Sequence, residues 1–225
     1  MLTSHAILLA LCAGATLTAQ SLPDVLANLD QSAASFRGMT AQMKRLDYTA
    51  VIKDLSEERG AVTVRKTPKG LHGLIQFSHP DVKTLSFRNR QVQIYLPKIN
   101  TIQIYDVGKY GDQIDQFLLL GFGTSGQDLQ KSYAVKLLGA ETVGGVKTHK
   151  LELTPKSKDA LDRLKLTKLE LWIGEAGHAV QEKLYFQSGD YKLISYSDVK
   201  LNPPLTDQAF ELKAPKNAKK ELIGK

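Results

Sequence analysis

The sequence is almost without cysteine: Cys12 is the sole one, and it lies in the N-terminal apolar stretch. A chain cleaved after that stretch has no thiol, so disulfide scaffolds, thiolate catalysis and Cys-based metal sites are excluded. A membrane-spanning run is also missing. The only apolar stretch near the required length is the N-terminal one, and Ser4, His5, Thr16 and Thr18 break it. The five histidines show no metal-ligand spacing, no Gly-x-Ser-x-Gly elbow is present, and no carboxylate motif accompanies the histidines. These absences argue against an enzyme, a metal centre or any cofactor.

Residues 6–15 form the apolar core of a secretory signal, and Leu17-Thr18-Ala19 ends in a small residue suited to cleavage. The reading is therefore a signal over 1–19 and one exported domain over 20–225. Leu11 precedes Cys12 where a lipoprotein signal has a small residue, which argues against an anchor there. The formal charge is +7, and the first nineteen residues hold no Asp, Glu, Lys or Arg, so the exported chain keeps all of it. Aromatics are not interleaved with the basic residues as a nucleic-acid stacking platform requires. An anionic membrane surface or an acidic partner is the expected neighbour.

Ser21-Leu22-Pro23-Asp24 is a helix start, and Leu22, Val25, Leu26, Leu29, Ala33 and Phe36 follow helical spacing up to Gly38. The period then changes to two. Met39 and Met43 begin it, Val62 and Val64 continue it, and Leu71, Ile75 and Phe77 share one face. Leu85 with Phe87, then Val92, Ile94 and Leu96, then Ile102 and Ile104 follow. Polar segments separate them: 58–60, 67–70, 79–81, 88–90 and 97–100. Short strands at this spacing mean an antiparallel meander with one apolar face. Residues 114–119 and 124–131 suggest short helices, with Phe117 and Leu118 on an apolar side. Strands resume at 133–138, 146–153, 164–173, 180–186, 191–201 and 210–212, with a bulge or helix end expected between Leu166 and Leu169. The basic stretch 213–225 is loosely patterned.

The result is a mainly β chain with helices (α+β), of roughly ten or eleven strands and two or three helices. So many strands in one antiparallel sheet must curl. A curled sheet with one apolar face is either packed solid or hollow. Leu26 and Leu29 on the first helix, Phe117 and Leu118, and the apolar positions of the first six strands are the expected walls of a hollow. Gly121-Phe122-Gly123-Thr124-Ser125-Gly126 matches the dinucleotide fingerprint letter for letter, with Glu141 twenty residues on. Its surroundings are a meander and not a strand–helix–strand unit, so it reads as a flexible loop after a short helix.

The order of these segments resembles the LolA-type outer-membrane lipoprotein carrier family and its lipoprotein-sorting relatives. The resemblance is carried by Ser35-Phe36-Arg37-Gly38-Met39-Thr40-Ala41-Gln42-Met43, the strand 61–65 and the Thr67-Pro68 turn. It continues through Phe87-Arg88-Asn89-Arg90-Gln91-Val92-Gln93-Ile94-Tyr95-Leu96-Pro97 and Leu151-Glu152-Leu153-Thr154-Pro155-Lys156. Leu169-Glu170-Leu171-Trp172-Ile173, residues 196–202 and Phe210-Glu211-Leu212-Lys213-Ala214-Pro215 complete it. Membership implies an incomplete, unclosed β-barrel whose open side is covered by helices. It also implies a periplasmic carrier of acylated lipoproteins or lipids, served by an inner-membrane release complex and an outer-membrane acceptor; a monomer is the expected state. The family bears a basic residue just before the turn proline, which helps hold the lid shut. Thr67 stands there in this chain, so Lys66 or Arg65 is the candidate for that role. The same scaffold would also suit a binding module for glycolipid or another hydrophobic ligand, or an envelope sensor domain.

Overall fold

The computed structural model describes residues 20–68, 70–108, 119–157 and 165–223. The expected export signal 1–19 and the expected wall residues Phe117 and Leu118 lie outside them.

Helix α1 (Leu22–Ser35) starts as its sequence dictates. The Asp24 carboxylate accepts hydrogen bonds from the Ser21 backbone N–H at 2.9 Å and from its hydroxyl at 2.6 Å. Pro23 occupies the first turn, where its missing N–H costs nothing. Val25, Leu26 and Leu29 are buried along one stripe. The helix stops at Phe36, whose extended backbone opens the first strand.

Six strands follow: β1 (Gly38–Thr49), β2 (Asp54–Thr67), β3 (Gly70–His79), β4 (Lys83–Arg88), β5 (Gln91–Leu96) and β6 (Thr101–Asp106). A short helix, α2 (Gly126–Ser132), leads into β7 (Tyr133–Val143), β8 (Val146–Pro155), β9 (Leu166–Gly174), β10 (Ala179–Phe186) and β11 (Tyr191–Leu201). Ser125 caps α2 by accepting from the Asp128 N–H at 3.0 Å. β12 (Lys219–Ile223) closes the chain.

The twelve strands among the described residues form one sheet in the order β12-β6-β5-β4-β3-β2-β1-β11-β10-β9-β8-β7. β1 sits between β2 and β11, so the two meanders join at the middle of the sheet. The ends of the order, β12 and β7, do not pair, and the strongly curved sheet stays unclosed. This is the unclosed antiparallel architecture expected from the sequence, with two differences of detail. Residues 58–60 are not a turn but the middle of β2, because Glu58 and Gly60 pair with Arg45 and Met43. Residues 210–212 are not a strand: Asp207–Phe210 is a 3-10 turn.

The C-terminal segment is the larger departure. Far from being loosely patterned, it crosses the outer face and ends as a strand. Asn202 fastens its start, accepting from the Arg37 N–H at 2.7 Å and donating to the Ser35 carbonyl at 3.0 Å. Arg65 holds its middle. The guanidinium donates to the Leu205 carbonyl at 2.8 Å, pairs with Asp207 and lies 5.1 Å from the Phe210 ring centre. Phe210 is fully buried against the outer face, with the His72 ring edge-on at 5.8 Å and the Ser86 hydroxyl donating to its carbonyl at 3.0 Å. The Lys219 N–H then donates to the Asn100 carbonyl, and β12 runs parallel to β6. The parallel pairing follows from the crossing, which brings the chain back to the same end from which β6 starts.

Phe210→Ala removes the anchor of this strap. It should lower the unfolding free energy by about 3–5 kcal/mol in urea titrations. Amide exchange at residues 219–223 should rise before that of β1, because the strand's covalent tether would be slack.

Candidate ligand-binding face

Side chains alternate across a strand, and residues directly opposite one another share a face. The register therefore sorts the sheet without ambiguity. Met39 faces Val64, Ala41 faces Val62, and Val62 faces Ile75. Ile75 faces Leu85, which faces Ile94, and Phe87 faces Val92. All these lie on the concave side with Leu71 and Phe77. On the other wing Leu137, Leu151, Leu171 and Glu182 form one row, and Val135, Leu153, Leu169 and Leu184 the next.

Cover on this side is uneven. Under α1 and α2, Leu26, Leu29, Met39, Met43, Val62 and Val64 are buried, as are Leu129, Leu151, Leu153, Leu169 and Leu171. Phe77 and Phe87 are also buried. Ile75, Leu85, Val92, Ile94 and Leu96 are only half-buried. The expected wall thus divides into a packed floor and a reachable apolar strip on β3–β5.

Two expected wall residues are on the wrong side. Ile102 pairs with Tyr95 and Ile104 with Gln93, so both point to the convex face. Ile102 is nonetheless buried there, together with Tyr95. Periodicity within β6 is right, but its phase relative to β5 is set by the turn Pro97–Ile99, where Asn100 takes a left-handed conformation. The concave positions of β6 are Thr101, Gln103 and Tyr105.

The lid candidates also separate. Arg65 lies on the outer face and is committed to the C-terminal strap. Lys66 shares the face of Val64, is exposed, and its N–H donates to the Arg37 carbonyl at 2.8 Å. Hydrogen bonds from Lys131 and Ser125 hold the Asp128 carboxyl on α2 below its usual range, and the Lys66 charge adds to them.

The glycine-rich segment is a plug and not a loose loop. The Leu119 carbonyl accepts from Phe122, Gly123 and Thr124 in one tight turn, and Leu120 and Phe122 are buried. Gly121 has φ +78°, and its carbonyl accepts from the Ala179 N–H at 2.7 Å. A Cβ on Gly121 would meet that of Ala179 at 2.5 Å, and one on Gly126 would meet the Leu26 carbonyl at 2.7 Å. The spacing that mimics a phosphate loop is explained by close backbone approach. Phe122 packs edge-on against Tyr196 at 4.9 Å and over His178 at 5.9 Å.

Beneath this plug lies Glu182, which the sequence reading passed over. Its parity with Leu184 was the available signal. It is 5% exposed, and desolvation pushes its carboxyl up to about 8 even though the Tyr196 hydroxyl hydrogen-bonds to it. A carboxylic acid neutral near pH 7 thus sits in the apolar side of the sheet.

No family model matches the chain. It is 32% identical over 158 residues to the outer-membrane lipoprotein carrier protein of Cupriavidus necator, an overlap of 65% of this chain and 68% of that protein. The chain belongs to the outer-membrane lipoprotein carrier family. The carrier protein of Cupriavidus taiwanensis extends the likeness to 94% of the chain and 96% of its own length, at 29% identity over 224 residues. In fold, the chain matches an uncharacterised conserved protein of Thermus thermophilus with a TM-score of 0.56 at 14% identity, over 90% of this chain and 99% of that one. For a member of the carrier family, the half-buried strip on β3–β5 is where the apolar face meets its surroundings.

Glu182 makes stability depend on pH. Its folded value lies above its unfolded one, so the folded state binds the extra proton between about pH 4.5 and 8. Stability should fall as pH rises through that window and level off above it. In Glu182→Gln that slope should vanish. The variant should exceed the wild type at pH 9 by on the order of 3–5 kcal/mol relative to their difference at pH 4, measured by urea unfolding.

Proposed function

We propose that this chain is a periplasmic, non-enzymatic carrier that shelters the acyl chains of lipoproteins and conveys them toward the outer membrane. The observation that carries the reading is the half-buried apolar strip of Ile75, Leu85, Val92, Ile94 and Leu96, continuous with a floor of Leu, Met, Val and Phe.

The physics matches the task. Each CH₂ taken out of water contributes about 0.8 kcal/mol, so one long acyl chain exposes on the order of 10 kcal/mol. Aliphatic side chains offer that chain a non-directional surface. Affinity then comes from area and not from fixed polar contacts, and a partner that binds the chain better can take it over. Membership of the carrier family supports lipoproteins as the cargo. Residues 1–19 would export the chain. An inner-membrane complex would load it, an outer-membrane acceptor would unload it, and the chain would act as a monomer. Lys66 facing α2 is the basic residue that replaces the family's pre-proline one in holding the cover.

The test begins with residues 20–225 purified without detergent, with bound material extracted and weighed by mass spectrometry. Acyl-bearing molecules are expected. Leu85→Asp should then weaken binding of a fluorescent acyl probe by about tenfold or more, because a carboxylate would have to be desolvated beside the chain. Ile104→Ser, on the opposite face, should leave probe binding unchanged. Equal losses in both variants, or a wild type that binds no acylated ligand, would remove the proposal.

A further inference from the structure

The concave face is not apolar to its rim. In β1 the inward parity passes from Met43 to Arg45 and Asp47. In β2 it reaches Glu58, in β4 it reaches Lys83 opposite Phe77, and in β11 Lys192 stands opposite Asp47. Five charged side chains thus line one end of the face that carries the strip.

Their pairing is uneven. Glu58 is shared by Arg45 and by Lys83, the latter at 2.5 Å. Asp47 is shared by Arg45 at 3.0 Å and Lys192 at 3.1 Å. Three cations therefore answer two carboxylates. Arg45 and Lys83 also flank the Phe77 ring, at 5.1 and 4.7 Å from its centre. The Arg45 Nε is buried and has no hydrogen-bond partner, a donor left without an acceptor. A cavity of about 570 Å³ opens at the Asp47–Lys192 end of the row, bordered also by Lys165, Asp190 and Phe186.

An ion cluster on an apolar face is a poor stabiliser, since desolvation offsets much of the Coulomb gain and an aliphatic residue would serve packing better. Its arrangement suits a ligand instead. The carboxylates hold the cations on the face and the row itself keeps one net positive charge, while the adjoining cavity adds one further cation, Lys165, and one further anion, Asp190. Leu85, next inward on β4 after Lys83, begins the half-buried strip. A molecule with chains along that strip would place its head at this row.

We propose that Arg45, Lys83 and Lys192 form a head-group subsite for an acyl ligand with an anionic head, a phosphate or carboxylate at the junction of its chains. This rests on the reading that the strip takes acyl chains, and it adds anionic lipids to the cargo. Glu58 and Asp47 are positioning residues that also set the strength of the site.

The experiment compares phosphatidylglycerol with diacylglycerol of the same chains, each displacing a neutral fluorescent apolar probe from residues 20–225. The wild type should prefer phosphatidylglycerol by about tenfold. Arg45→Met should abolish the preference and Glu58→Gln should widen it, while diacylglycerol binds all three alike. Opposite shifts from neighbouring substitutions separate the effect from loss of folding. Inorganic phosphate at the lipid's concentration should displace neither lipid. Its blocking of phosphatidylglycerol would replace this proposal with a free-anion site. Equal affinity for the two lipids, or shifts of the same sign, would overturn the subsite and leave the acyl-carrier reading standing. Binding of neither lipid would overturn both.

Discussion

A sheet with a broad apolar concave side, and with its two end strands unpaired with each other, has to find cover for that side from its own chain. Every other feature follows from this constraint. Hydrophobic burial contributes about 25 cal/mol per Å², so an uncovered concave face would drive association with anything greasy. Helix α1 seats Val25, Leu26 and Leu29 on the floor, and α2 adds Leu129. The segment around Phe122 fills the space over β10 and β11. On β3–β5 the cover buries Leu71, Phe77 and Phe87 but leaves Ile75, Leu85, Val92, Ile94 and Leu96 half-buried, as the proposed carrier role needs.

The convex side meets the opposite demand. Its cover is fixed to the sheet by directed contacts. The strap from Asn202 to β12 does this with polar and aromatic contacts: Arg65 to Leu205, Asp207 and Phe210, and Ser86 to the Phe210 carbonyl. Arg65 gives its terminal guanidinium nitrogens to the strap, while Lys66 lies on the face of Val64. Two adjacent basic residues differ in role because adjacent residues in a strand point to opposite faces.

The polar groups on the concave side are the exceptions that give it character. Glu182 stays neutral near pH 7 because burial disfavours its charge, and the tight packing of Gly121 against Ala179 holds the plug over it. In the charged row at the rim each carboxylate is shared between two cations. Glu182 is a cost borne in the floor. The row is where the proposed head group would bind.

Much of this was legible in the residues. The capped helix, the change of period after Gly38, the positions of most strands and the apolar face of β1 to β5 all follow from local spacing and turn chemistry. The likeness to the carrier family rested on the order of short segments. What spacing could not supply was phase between strands. Ile102 and Ile104 alternate correctly yet face outward, since a turn decides which face a new strand presents. Nor could it reveal β12, because a short basic strand becomes one only when a distant edge offers hydrogen bonds. Glycines that mimicked a phosphate loop were instead required by close packing on Ala179 and Leu26. The sequence alone therefore determined which segments become most of the strands and which positions of each are greasy, through backbone alternation and side-chain chemistry. Only the tertiary structure decided which greasy positions stay reachable, which charges meet at the rim and which arginine holds the strap, because those depend on register and on contacts between residues far apart in the chain.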